Sequence, residues 1–322
     1  MSTTRRPAVV GAMVVFAAVI AVVLGVNAGQ FSGHGVTPAQ AFIIDQLLLP
    51  RVLTAVLAGA ALALAGAVFQ SVTRNPLGSP DILGFTQGAA TGALVGVTAL
   101  GGSVLAVAGC AWLGAIGTAT AVYLVARRGG VTGGTRLILV GIGVAAILAG
   151  VDEYLIIRAD ITDAAQATQW ITGSLDGSAW SSVGLLAGAA ALLVPPLLLA
   201  SRSLSVLELG DDLATGLGLR TEQVRLMTLC GAVLLAATAA SQTGPVAFVA
   251  LASPHLARRL TRATGPNLLP SALLGAALLA WADYLGRHAI ANRELPVGVV
   301  TGVLGGCYLV YLLAHQRKTG RL

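Results

Sequence analysis

The sequence predicts an all-α integral membrane protein with ten transmembrane helices, and three observations carry that expectation. Hydrophobic residues make up 56% of the 322 positions and charged residues 10%, against about 25% charged residues in globular domains. The mean hydropathy is +0.85. The apolar residues also gather into ten runs, at 8–29, 50–71, 88–108, 109–127, 137–157, 181–201, 224–242, 244–262, 268–288 and 295–315, and a helix needs about 20 such residues to cross the hydrocarbon core. A membrane β-barrel would show shorter segments of alternating polarity. These runs are continuously apolar and rich in Ala, Leu and Gly.

The first run follows Thr3-Thr4-Arg5-Arg6 and is too long for the apolar core of a signal peptide. It is read as the first anchor. Lys and Arg then orient the chain. With a cytoplasmic N-terminus, fifteen basic residues lie inside: Arg5, Arg6, Arg74, Arg127, Arg128, Arg136, Arg202, Arg220, Arg225, Arg258, Arg259, Arg262, Arg317, Lys318 and Arg321. Four lie outside: Arg51, Arg158, Arg287 and Arg293. Both termini are therefore expected in the cytoplasm. The net charge of +6 reflects this topology and gives no support to a nucleic-acid partner.

Local signals refine the spans. Gly59, Ala63 and Gly66 place small residues on nearly one face of the second span, which allows close helix packing. Asn75-Pro76-Leu77-Gly78-Ser79-Pro80 breaks any helix and predicts a fixed inner turn. Gly109 and Cys110 mark the boundary between spans three and four. Trp170 and Trp180 flank a polar outer segment and suit an interfacial belt or gate. Gly244-Pro245 is expected to start span eight, and Ser253-Pro254-His255 to interrupt or kink it. Cys110, Cys230 and Cys307 lie in apolar runs, and His34, His255, His288 and His315 are scattered. Neither set has metal-site spacing.

Ten polar-punctuated helices suggest transport, which needs an energy source. A phosphate-binding loop of the form G-x-x-x-x-G-K-[ST] requires a lysine after glycine, and the only lysine is Lys318, beside Arg317. The chain is expected to bind no ATP, cofactor or metal and to catalyse no bond chemistry. An ion-coupled carrier would use acids within the membrane. Asp152 and Glu153, near the outer end of span five, are candidates, read either as wet residues at a pathway mouth or as substrate-facing groups. Asp283 lies four residues before Arg287 and predicts an internal ion pair. Glu294 precedes a helix start, where a carboxylate favours the dipole. The alternative is a separate ATPase gripping a short element. The stretch 207–220, LELGDDLATGLGLR, fits: Asp211 and Asp212 can cap a short helix, Leu213, Ala214, Gly216, Leu217 and Gly218 offer small and apolar contacts, and the glycines permit a tight turn. An ordinary amphipathic loop helix is the competing reading.

Several stretches together resemble permease subunits of ABC importers for iron siderophores, haem and vitamin B12, the FecCD-type family. They are LPRVLTAVLAGAALALAGAVFQSVTRNPLGSPDILGFTQGAA, WITGSLDGSAW, LELGDDLATGLGLR, GPVAFVALASPHLARRL and ELPVGVVTGVLGGCYLVYLL, in family order from about residue 45 onward. RNPLGSPDILGF, GIGV at 141–144, GDD and GGCYL at 305–309 look most like a ferric enterobactin permease subunit. The resemblance implies a type II ABC importer permease fold that pairs with a second homologous permease, most simply as a heterodimer, in the inner membrane. It also implies two cytoplasmic ATPases carrying ATP and Mg, an extracytoplasmic binding protein, and a ferric siderophore as cargo, with lipid all around. In that scheme 207–220 is the coupling segment, with Ala214, Gly216, Leu217 and Gly218 in a groove of the ATPase. Arg51 and Arg287 match positions that grip acidic residues of the binding protein. Relatives often carry a further arginine where this chain has Leu48. Gly59, Ala63 and Gly66 would lie near the translocation path; that Asp152 and Glu153 line its outer part is a separate expectation, from their place near the end of span five.

Overall fold

The computed structural model describes residues 37–126, 134–158, 171–290 and 294–318. The expected span 8–29 and Trp170 lie outside the described residues. The observed helices are α1 (Pro38–Thr73), α2 (Phe85–Leu100), α3 (Val104–Ala126), α4 (Gly134–Arg158), α5 (Trp180–Leu199), α6 (Ser201–Leu207), α7 (Asp211–Gly216), α8 (Thr221–Thr243), α9 (Val249–Thr261), α10 (Leu268–His288) and α11 (Val297–Lys318). Among the described residues, six helices are long and apolar enough to cross a membrane: α1, α3, α4 from Arg136, α5, α8 and α10. Helix α2 and the Val297–Tyr308 part of α11 are shorter apolar helices.

Helix α1 is the centre of the molecule and packs against α5, α8, α9 and α10. It opens with a capping box in which the Thr37 hydroxyl accepts from the Gln40 amide and the Gln40 side chain accepts from the Thr37 amide. Pro50 offers no amide to the turn below it, and a π-helical turn over Ile44–Leu48 absorbs the mismatch. The helix stops at Arg74, which adopts φ 51° ahead of Pro76. Asn75 then closes the turn by accepting from the Leu77 amide at 2.9 Å.

Missing side chains set the packing. A Cβ on Gly59 would lie 2.3 Å from the Gly275 carbonyl oxygen, and one on Gly66 only 1.8 Å from that of Ala250. Backbone therefore touches backbone where α1 crosses α10 and α9. Helices α2 and α3 meet the same way. Gly88, Gly92 and Gly96, one turn apart, face Thr118, Cys110 and Val107. In lipid the helices gain no hydrophobic drive from meeting, so van der Waals contact through small residues must hold them together.

Two sequence expectations are corrected. The break between the third and fourth runs falls at 101–103, where Gly101 and Gly102 take φ 74° and 69°. Gly109 and Cys110 lie inside α3, where Cys110 packs against Gly92 and neither reverses the chain. Pro245 does not start α9. The helix begins at Val249 after an irregular stretch ending at Phe248, φ 67°, and Pro254 sits inside it without ending it. Its 13 residues span about 20 Å at 1.5 Å per residue, short of the roughly 30 Å core. The irregular backbone before it is covered by protein: Gly305 lies against the Phe248 ring and Gly173 against the Pro245 carbonyl.

Adding one methyl group at Gly66 should force the α1–α9 backbones apart, because the obstacle is the Ala250 main chain and cannot rotate away. Gly66→Ala is expected to cost about 1–3 kcal/mol, read as a lower melting temperature in detergent. Gly117→Ala, where a Cβ meets nothing within 4 Å, should be tolerated.

Candidate functional site

Charge collects at the two ends of α1. At the C-terminal end of α1, α6 leads through Glu208 to α7. The Glu208 carboxylate accepts from the Ser71 hydroxyl at 2.7 Å, tying the linker to α1. Gly210 turns the chain with φ 111°, and α7 follows. It ends in a Schellman cap, in which the Gly218 amide donates to Thr215 and the Leu219 amide to Ala214, at 2.9 and 3.0 Å. Gly218 has the φ of 82° that this cap needs.

The acidic residues do not cap α7. Asp211 is its first residue, Gly210 is the N-cap, and no side-chain cap forms. Both Asp211 oxygens instead accept from Nη2 of Arg225 at 3.0 Å, and Arg74 stands 3.7 Å from one of them. A guanidinium outcompetes the weak pull of a six-residue helix. Asp212 is exposed. The expected contact set divides in the same way. Ala214 is fully buried, turned inward by the helix period, and presents nothing to another protein. Leu213 and Leu217 are 61% and 68% exposed, and space is open around Gly216 and Gly218.

Toward the N-terminal end of α1, Arg51 joins three segments. Its Nε donates to Asp283 of α10 at 2.9 Å, and its Nη1 lies 2.8 Å from Asp176 and 3.0 Å from Glu294. Asp283 is buried and also pairs with Arg287 at 3.0 Å. The Asp283–Arg287 pair follows from helical spacing. The Arg51 contacts do not, because their partners lie 232 and 243 residues away. Trp180 adds an outer tie, donating its indole N–H to the Asp45 carbonyl at 3.0 Å. Arg51 and Arg287 are thus mostly covered, with side chains 17% and 11% exposed.

The expected path residues are distributed differently. Gly59, Ala63 and Gly66 are buried in the crossings of α1 with α10 and α9, where touching backbones leave no room for cargo. Asp152 is buried and accepts from the Gln87 amide of α2 at 2.6 Å, while Glu153 is exposed on another side of α4. Successive helical residues point about 100° apart, so the two acids do not act as a pair. Gln87 carried no sequence signal of its own. Neither did Asp81, in the inner turn after α1. It borders a cavity of about 320 Å³ with Ser79, Phe248 and Leu251. Burial pushes its carboxyl up to about 7, against a hydrogen bond with Thr86 that lowers it.

Two measurements check these clusters. Arg51→Gln should lower thermal stability more than Glu294→Gln, because it leaves the buried Asp283 with Arg287 as its remaining cation, whereas Glu294 forms an exposed pair worth about 0–1 kcal/mol. Asp81 binds its proton more tightly folded than unfolded, so it should destabilise the protein progressively as pH rises from its unfolded value of 3.8 to about 7. Asp81→Asn should flatten that fall in melting temperature and raise stability at pH about 8, with little effect at pH about 4.

The arrangement is similar to known transport proteins. The chain is 38% identical over 325 residues, covering 98% of each chain, to the ferric enterobactin transport system permease protein FepG of Escherichia coli (strain K12). It is 37% identical to the iron(3+)-hydroxamate import system permease protein FhuG of Bacillus subtilis (strain 168), covering 96% of this chain and 98% of that one. A solved metal-chelate type ABC transporter in an inward-facing conformation superposes with a TM-score of 0.82 at 28% identity, covering 95% of this chain and 98% of that one. Residues 8–315 match the FecCD transport family, and the chain belongs to that family of multi-pass membrane permeases.

Proposed function

We propose that the chain is the permease subunit of an ATP-driven importer that moves a ferric siderophore across the cytoplasmic membrane by alternating access. Its termini lie inside, and ATP and Mg are held by a separate ATPase. The observation that carries this reading is the surface of α7. Gly216, the last residue of α7, has neither a positive φ nor a close neighbour in this chain to require a glycine. Flanked by exposed Leu213 and Leu217, it leaves a shallow apolar notch fitted to close approach by a second protein. The similarity to FepG supports a catecholate cargo of the enterobactin kind.

The remaining partners follow the same scheme. Among the described membrane-length helices α4 is the least covered, and Ile142, Ile147 and Ile157 are exposed on it. That face suits a second, homologous permease subunit. On the outer side, an acidic residue of a binding protein would take Arg51 over from the exposed carboxylates Asp176 and Glu294, with Arg287 held behind them by Asp283. The ion-gradient alternative loses its basis, because Asp152 is engaged by Gln87 and Glu153 points elsewhere.

A bulky or charged group in the notch should stop the ATPase from seating. Leu217→Asp and Gly216→Trp are expected to lower capture of the partner ATPase by about tenfold or more, as loss of a central contact does. Uptake of radiolabelled ferric enterobactin into cells should fall in parallel. Unchanged capture and uptake in both variants, with the permease intact, would remove α7 from the coupling role.

A further inference from the structure

The short helix α7 has a hinge at each end. Gly210 and Gly218 both take positive φ, 111° and 82°, so backbone alone would let α7 swing without moving the helices beside it. Side chains prevent this. Asp211 is gripped by Arg225, a buried residue on the second turn of α8. The other arm of Arg225, Nη1, donates to Glu222 at 2.9 Å, and Glu222 in turn accepts from the Tyr123 hydroxyl of α3. Arg74, at the C-terminal end of α1, stands 3.7 Å from Asp211.

We infer that the Asp211–Arg225 ion pair is the strut that carries movement of α7 into the membrane helices, which makes both residues positioning residues for transport. This inference rests on the reading of α7 as the coupling element. Three spans meet at the strut: α8 directly, α3 through Glu222 and α1 through Arg74. A guanidinium is planar and stiff, and this one is covered on most sides. Breaking such a pair strands a buried charge, so the strut survives a pull that bends the glycine hinges. Asp212, next in sequence but exposed, has no such linkage and belongs to the outer surface of α7.

The test uses the permease complex with its partner ATPase in liposomes and reads chelate uptake per ATP hydrolysed. Asp211→Asn keeps the size of the side chain but weakens the grip, and uptake per ATP is expected to fall about tenfold, with partial recovery in Asp211→Glu. Glu222→Gln loosens the brace without altering α7 and should give a smaller fall in the same ratio, so the inference stays testable if Asp211→Asn does not assemble. An unchanged ratio in an assembled Asp211→Asn complex overturns the strut, and so does an unchanged ratio in Glu222→Gln when Asp211→Asn fails to assemble. Loss of ATPase capture by Asp211→Asn, with normal uptake per ATP in the complexes that do form, also overturns it and makes Asp211 a contact residue. The coupling reading itself is judged separately by Gly216→Trp, which leaves every member of the strut in place.

Discussion

Everything else in this molecule depends on how closely the backbone of α1 approaches those of α10 and α9. Lipid tails are as apolar as leucine, so helices in a bilayer associate through contact and not through escape from solvent. Contact is greatest where Cβ atoms are absent, and α1 places Gly59 and Gly66 where Gly275 and Ala250 come within overlap distance of any side chain. The result is a rod held on several sides, with 78% of its apolar window buried. Helices that make few such approaches, α4 and α5, keep open faces.

Because α1 is fixed in the block, its two ends become fixed points for charge. Arg51 and Arg74 lie 23 residues apart, or about 35 Å along a helix, and each anchors a different ionic cluster. The outer cluster binds α1 to α10, to the turn before α5 and to the entry of α11. The inner one binds α7, α8 and α3 to the same rod. A force on either cluster therefore meets the same stiff element, although the residues involved come from distant parts of the chain.

The sequence made the membrane class legible, because it is written in composition, and a short helix does lie within the charged stretch 207–220. Contacts between distant residues were not legible. Asp283 and Arg287 share a helical face and could be paired by spacing, but nothing near Arg51 names Asp176 or Glu294. The charge on Asp211 was visible, and its partner was not, since Arg225 reads from sequence as one more cytoplasmic arginine. Small residues on α1 were read correctly as packing positions, yet small size cannot say whether a face meets a helix or a channel. Boundaries drifted where glycine was ambiguous: Gly109 and Gly101 look alike in sequence, and only Gly101 takes φ > 0.

Helix α9 leaves a further consequence for how the chain enters the bilayer. Its 13 residues include His255, Arg258 and Arg259, so it has neither the length nor the hydrophobicity to be retained as an independent segment during synthesis. Its cover is complete only when Gly66 of α1 lies against Ala250 and Gly305 of α11 against the Phe248 ring. Insertion of α9 must therefore be cooperative with neighbours made earlier and later, and this part of the protein reaches its final depth only when the last helix is in place.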